Sequence, residues 1–222
     1  MIPLRDTNRS RNFPLMNWIL IGINVLVFIF ELGLSTGELQ DFINTYALVP
    51  SRLQSQPTTY AASIFTSMFM HAGWFHVLSN MWILFIFGDN VEDRMGPLPY
   101  LFFYLLGGAA AALLQTYVGT GTDVPVLGAS GAIAAVLGAY VFLYPSARVV
   151  TLVPIIFFLT IIEVPAILFI GFWFITQLFS GLASIGAVEG VAWWAHIGGF
   201  IVGLVISPFF LRRSSPRQIE FF

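Results

Sequence analysis

Three histidines, a serine in a run of small residues and an asparagine are the side chains with which this 222-residue chain could do chemistry. The histidines are His71, His76 and His196. The serine is Ser130, in the run Gly128-Ala129-Ser130-Gly131, and the asparagine is Asn80, four residues after His76. A serine hydroxyl is a poor nucleophile until a base within hydrogen-bond reach takes its proton, and imidazole is the side chain suited to that task near neutral pH. Ser130 as nucleophile and His196 as general base would perform acyl transfer, if the fold holds them about 3 Å apart. Cysteine is absent, so neither disulfides nor thiolate metal sites can form. A metal hydrolase with the three histidines as ligands is the first rival, but it lacks a nearby carboxylate ligand and an H-E-x-x-H motif. No metal or other cofactor is expected.

The elements that must position these residues are membrane helices. Hydrophobic residues make up 58% of the chain and charged residues 9%, too few charges for a soluble surface. The net charge of −2 gives no reason to expect a nucleic-acid partner. Stretches 12–30, 53–88, 95–122, 124–147, 164–188 and 190–211 contain no Asp, Glu, Lys or Arg. Each meets or passes the ~18 residues needed to enter a hydrocarbon core. The expected fold is an all-α membrane protein in one domain over 1–222, with six transmembrane helices at 17–34, 74–92, 98–118, 130–145, 163–181 and 191–211. Segment 149–162 is apolar too, but a helix of its length covers only ~21 Å and does not span. Six spans with cytoplasmic termini put Arg5, Arg9, Arg11, Arg94, Arg148, Arg212, Arg213 and Arg217 inside and only Arg52 outside, as the positive-inside rule asks. The N-terminal run is read as a short tail, since no A-x-A-like cleavage site follows it. The short tails suggest a prokaryotic plasma membrane, and the outer loop 35–73, mostly uncharged, could lie partly in the interface.

Depth brings the reactive types together. Spans two, four and six run in the same direction, outside to inside. Ser130 precedes Arg148 by ~27 Å of helix and His196 precedes Arg212 by ~24 Å, so the two fall at nearly one level. His76 and Asn80 share a face near the outer end of span two. The fourth span is short, so it begins below the outer surface after the non-helical segment 119–129, a backbone that is tolerated only in protein or beside a watery cavity. Gly131 and Gly138 on span four, and His196, Gly199 and Gly203 on span six, offer small-residue faces for close helix packing. Asp123 and Glu189, the only carboxylates in the adjacent outer loops, read as solvated charges, which favours a dyad over a triad. The Gly-x-Ser-x-Gly elbow of α/β-hydrolases does not fit, because residue 132 is Ala. Glu92 and Arg94, at the far end of span two, read as structural, and Asn24 and Gln177 as interhelical hydrogen-bonding residues. Trp173, Phe172 and Phe174 read as packing and interface residues. A transporter would also use discontinuous spans and midplane polar groups.

The sequence resembles the rhomboid intramembrane proteases over nearly its whole length. The resemblance rests on His71-Ala-Gly-Trp-Phe-His76-Val-Leu-Ser-Asn80-Met81, Gly128-Ala129-Ser130-Gly131 and Ala195-His196-Ile-Gly-Gly199-Phe-Ile-Val-Gly203, with Glu92-Asp-Arg94-Met-Gly96 similar to a further family element. It implies a six-helix bundle whose short fourth helix carries the nucleophile. It implies a Ser130–His196 dyad that cleaves membrane-anchored protein substrates near the bilayer surface. It further implies an oxyanion site from His76, Asn80 and the Ser130 N–H, with Gly128, Gly131, Gly199 and Gly203 shaping the site. By the same resemblance His71 supports the outer loop, residues 182–190 cap the cavity, and span five borders the substrate route. Some members have a Tyr four residues after the nucleophile that stacks on the catalytic histidine. Here that position is Ala134.

Overall fold

The computed structural model describes residues 1–119, 121–155, 158–184 and 191–212. The chain starts with strand β1 (Ile2–Asp6) and helix α1 (Leu15–Leu32). Four short helices follow, α2 (Thr36–Tyr46), α3 (Pro50–Ser55), α4 (Pro57–Tyr60) and α5 (Ser63–Thr66), then a 3-10 turn (Ser67–Phe69). Helices α6 (Trp74–Met95), α7 (Pro97–Val118) and α8 (Ser130–Leu143) come next. Strands β2 (Arg148–Ile155) and β3 (Phe158–Pro165) lead into α9 (Ala166–Ala183), and α10 (Trp193–Ile206) ends in a 3-10 turn (Ser207–Phe210).

The protein is predominantly helical, and α1, α7, α9 and the stretch Trp193–Phe210 are long and apolar enough to cross a bilayer. Helix α6 carries His76, Asn80, Asp89 and Asn90, and qualifies only together with Pro57–Phe69, from which it bends by 79°. Helix α8 has 14 residues, ~21 Å at the α-helical rise.

The fold is not all-α. β1, β2 and β3 form an antiparallel sheet in that order. In place of a helix over 149–162, which would be too short to span, β2 and β3 pair antiparallel, Arg148 with Pro165 and Leu152 with Ile161. Valine, isoleucine and threonine favour the pleated conformation over the helix, and Pro154 removes a donor that a helix interior would need. Residues 163–165, expected in the fifth helix, belong to β3, and α9 starts after Pro165. Ahead of β2, α8 stops at Leu143, because Pro145 disfavours helical backbone at Tyr144.

Helix α8 is the centre of the bundle. Every residue from Gly131 to Tyr140 is buried, as suits a helix that is apolar all round. Its most extensive contact is with α10, followed by α7 and α6. Glycine permits the first. A Cβ on Gly199 would collide with the carbonyl oxygen of Gly131, one on Gly203 with that of Ala135, and one on Gly138 with that of Phe200. Only hydrogen at these positions lets the backbones come so close.

Candidate active site

Ser130 is the first residue of α8, and its position depends on the irregular backbone ahead of it. That backbone has protein partners. Val126 exchanges two hydrogen bonds with Leu48 (3.0 and 2.7 Å), Ser51 N–H donates to the Thr122 carbonyl (3.1 Å), and Gly128 N–H donates to the Ser67 carbonyl (2.8 Å). The segment 35–73 therefore holds the strand-like approach to the nucleophile. Gly128 has φ +124°, and a Cβ there would lie 2.7 Å from Cε1 and Nε2 of His76. Both the dihedral and the overlying imidazole call for glycine.

On the facing helix, His196 Nε2 is 2.8 Å from Ser130 Oγ. The other ring nitrogen, Nδ1, is 2.7 Å from Gln177 Oε1 on α9. Gln115 of α7 accepts from Ala195 N–H at 3.1 Å, which secures the first turn of α10. The Trp173 ring lies beside His196, centroids 6.0 Å apart at 39°, and Trp193 stands edge-on at 6.2 Å. Indole rings thus flank the imidazole where Ala134 offers no ring.

His76 and Asn80 face the same space from α6. Ala72 N–H reaches His76 Nδ1 at 3.5 Å, which leaves the proton of the neutral ring on Nε2, the nitrogen toward Gly128. Asn80 is buried, and its Nδ2 has no hydrogen-bond partner among the described residues. A buried amide donor without a partner carries a cost unless something fills that place. The first turn of α8 adds backbone N–H groups that have no partner within their helix, at the positive end of its dipole. These groups line a cavity of about 1010 Å³ that runs between α6 and α9 as far as Pro3 of β1. The arrangement can activate a hydroxyl and stabilise an oxyanion beside it.

Other polar residues fall elsewhere. His71 is buried against His76, ring centroids 5.1 Å apart, and its backbone N–H donates to Glu31. Burial, then the neighbouring His76, holds its imidazole down to about 4, so it is neutral. Asp123 is bound by the Ser51 hydroxyl. Glu189 and residues 185–190 of the expected cap lie outside the described residues. Glu92 accepts from the N–H groups of Met16 (3.0 Å) and Asn17 (2.7 Å), a carboxylate at the N-terminus of α1. Asn24, expected to bridge helices, donates to the Leu20 carbonyl in its own helix and also sets its side chain beside the hydroxyl of Tyr104 on α7. Asn17 also bridges from α1: it donates to the Leu84 carbonyl and accepts from Tyr100 OH. Among the described residues no three His, Asp or Glu side chains converge as metal ligands would.

Sequence reasoning found Gln177 as a polar residue between helices but not its place on His196, and it missed Gln115. Both are uncharged amides in apolar helices, the signal that marked Asn80.

A model of the Rhomboid domain matches residues 58–213. The chain belongs to the rhomboid family. This rhomboid chain is 29% identical to "Rhomboid protein 1, mitochondrial" of Saccharomyces cerevisiae over 196 residues, 84% of the chain and 50% of that protein. It is 30% identical to "RHOMBOID-like protein 1" of Arabidopsis thaliana over 151 residues, 68% of the chain and 34% of the relative. It is also 30% identical to the human "Presenilin-associated rhomboid-like protein, mitochondrial" over 144 residues, 62% of the chain and 35% of the relative. The rhomboid chain spans between about a third and a half of these curated relatives. Two of them are mitochondrial by name, so they lend no support to the expected prokaryotic plasma membrane.

Proposed function

We propose that this rhomboid-family protein is an intramembrane serine endopeptidase that cleaves membrane-anchored proteins in or near their transmembrane segments. The 2.8 Å contact between Ser130 Oγ and His196 Nε2 beside the cavity carries the reading. In this reading α1, α6, α7, α8, α9 and α10 are six crossings with both termini on one side, and the cavity opens toward the other. The slot between α6 and α9 admits the substrate segment.

The chemistry follows from the atoms present. Ser130 Oγ gives its proton to His196 Nε2 and bonds to the scissile carbonyl carbon. The carbonyl oxygen becomes an oxyanion and takes hydrogen bonds from His76 Nε2, Asn80 Nδ2 and the Ser130 N–H. The imidazolium then returns the proton to the amine, the C–N bond breaks, and an acyl-enzyme remains. Water gives a proton to His196 as it attacks the acyl carbon, and the imidazolium then returns that proton to Ser130 Oγ as the C–O bond breaks and the acid leaves.

Labelling tests the nucleophile. A fluorophosphonate should modify purified protein at Ser130, located by peptide mass spectrometry, and the His196→Ala variant should label far more slowly. Modification of a different serine, or equal rates in the two proteins, would remove the dyad.

A further inference from the structure

The side of His196 that does not face Ser130 is held by Gln177. That residue is 7% exposed and sits on α9, so its bond to Nδ1 joins two helices. Which end of the amide faces the ring follows from its neighbours. Thr176 Oγ1 is 2.6 Å from the Trp173 carbonyl, which can only accept, so the threonine proton is committed there. Gln177 Nε2 lies 3.2 Å from the same Oγ1, and that oxygen has only lone pairs left to offer it. The NH2 of the amide therefore points to Thr176 and its carbonyl oxygen to His196. A carbonyl oxygen accepts and never donates, so the neutral imidazole carries its proton on Nδ1 and keeps the Nε2 lone pair toward Ser130. A general base needs that tautomer. A neutral amide sets it without leaving a carboxylate in an apolar helix interior.

We propose that Gln177 is the positioning residue of the dyad: its carbonyl fixes the tautomer and the ring plane of His196 through Nδ1, where position 134 provides no stacking ring. This rests on the Ser130–His196 reading above. Thr176, tied to the Trp173 carbonyl, sets the orientation of the amide in turn.

The test compares wild type, Gln177→Leu and Gln177→Glu, pure in detergent. Three readouts are taken: labelling of Ser130 by a small fluorophosphonate, kcat and KM on a single-span reporter, and the melting temperature. Gln177→Leu should lower kcat and labelling together by tenfold or more, toward the ~10⁴ that a wrong imidazole tautomer costs in a Ser-His-Asp triad. KM should stay near wild type, and the melting temperature should fall only by what one lost buried hydrogen bond costs. Gln177→Glu, which still accepts from Nδ1, should recover much of the loss. Unchanged labelling in Gln177→Leu overturns the proposal. So does a loss of reporter cleavage with labelling intact, which would make Gln177 part of the substrate route. A loss that glutamate does not relieve overturns it as well. Nitrogen-15 NMR of imidazole-labelled wild type decides the contact even if Gln177→Leu does not fold or the wild type proves inactive. His196 neutral with Nδ1 protonated upholds the proposal, and Nε2 protonation overturns it. A wild type that neither labels nor cleaves contradicts the dyad and leaves that spectrum to judge Gln177.

Discussion

The carbonyl oxygen of Gly131 occupies the space in which a side chain on Gly199 would have to begin. Gly131 follows the nucleophile directly and Gly199 lies three residues after His196, so this one close approach sets how near the two reactive side chains come.

Gly199→Val would thrust a branched side chain into that contact. Overpacking of a tight core costs about 1–3 kcal/mol, and here the obstacle is backbone, which cannot turn away as a side chain can. A lower melting temperature in detergent and loss of reporter cleavage are expected together. A variant with wild-type melting and wild-type turnover would show that α8 and α10 do not meet at this point.

The two groups on α6 should affect rate more than reactivity. Loss of one oxyanion donor typically costs ~10²–10³ in turnover, about 2.7–4 kcal/mol. Asn80→Ala is expected to lower kcat in that range while Ser130 still labels slowly with a phosphonate. It should cost little stability, since no described protein group accepts from Asn80 Nδ2. His76→Ala should behave alike, with partial activity from the Ser130 N–H. Full turnover in the double variant would leave both as ordinary buried polar residues.

Asp6 gives a pH test at the other end of the bundle. Its Oδ2 accepts from Tyr140 OH (2.6 Å) and Asn90 Nδ2 (2.9 Å). Burial pushes its carboxyl up to about 6 from 3.8, against the pull of the Tyr140 hydrogen bond and with some help from Asp89. The folded state thus binds this proton more tightly than the unfolded chain does, so stability declines as pH rises from about 4 through about 6. Asp6→Asn can keep both donors on its single carbonyl oxygen, because both go to one atom of Asp6. The variant should melt higher than wild type at pH 7 and near it at pH 4. A difference that stays constant across that range would contradict the assigned cause.

Much of the site was legible because helix rise turns sequence distance into depth. Ser130 and His196, counted back from Arg148 and Arg212, were expected at one level; α8 and α10 end before those arginines, yet the two side chains are in contact. His76 and Asn80, four residues apart, share a helix face by the same arithmetic, and both line the cavity. What hydropathy does not encode is how a helix is turned about its axis. The rotation of α9 decides that Gln177 meets His196, and the rotation of α1 decides that Asn17 reaches Leu84 and Tyr100. The β2–β3 pair escaped for another reason. An apolar run of valines and isoleucines has the composition of a membrane helix, and only its length and Pro154 count against one. Its partner β1 lies more than 140 residues earlier, a pairing no local pattern signals.

Cleavage of a single-span reporter by purified protein in detergent puts the account at risk most directly. Wild type should cut the reporter at one bond in or near its transmembrane segment. Ser130→Ala and His196→Ala should each abolish the cut at near-wild-type melting temperature. The double variant should be no worse than either single one, because nucleophile and base act as one unit. Cleavage at the same bond by Ser130→Ala would contradict the mechanism at its root.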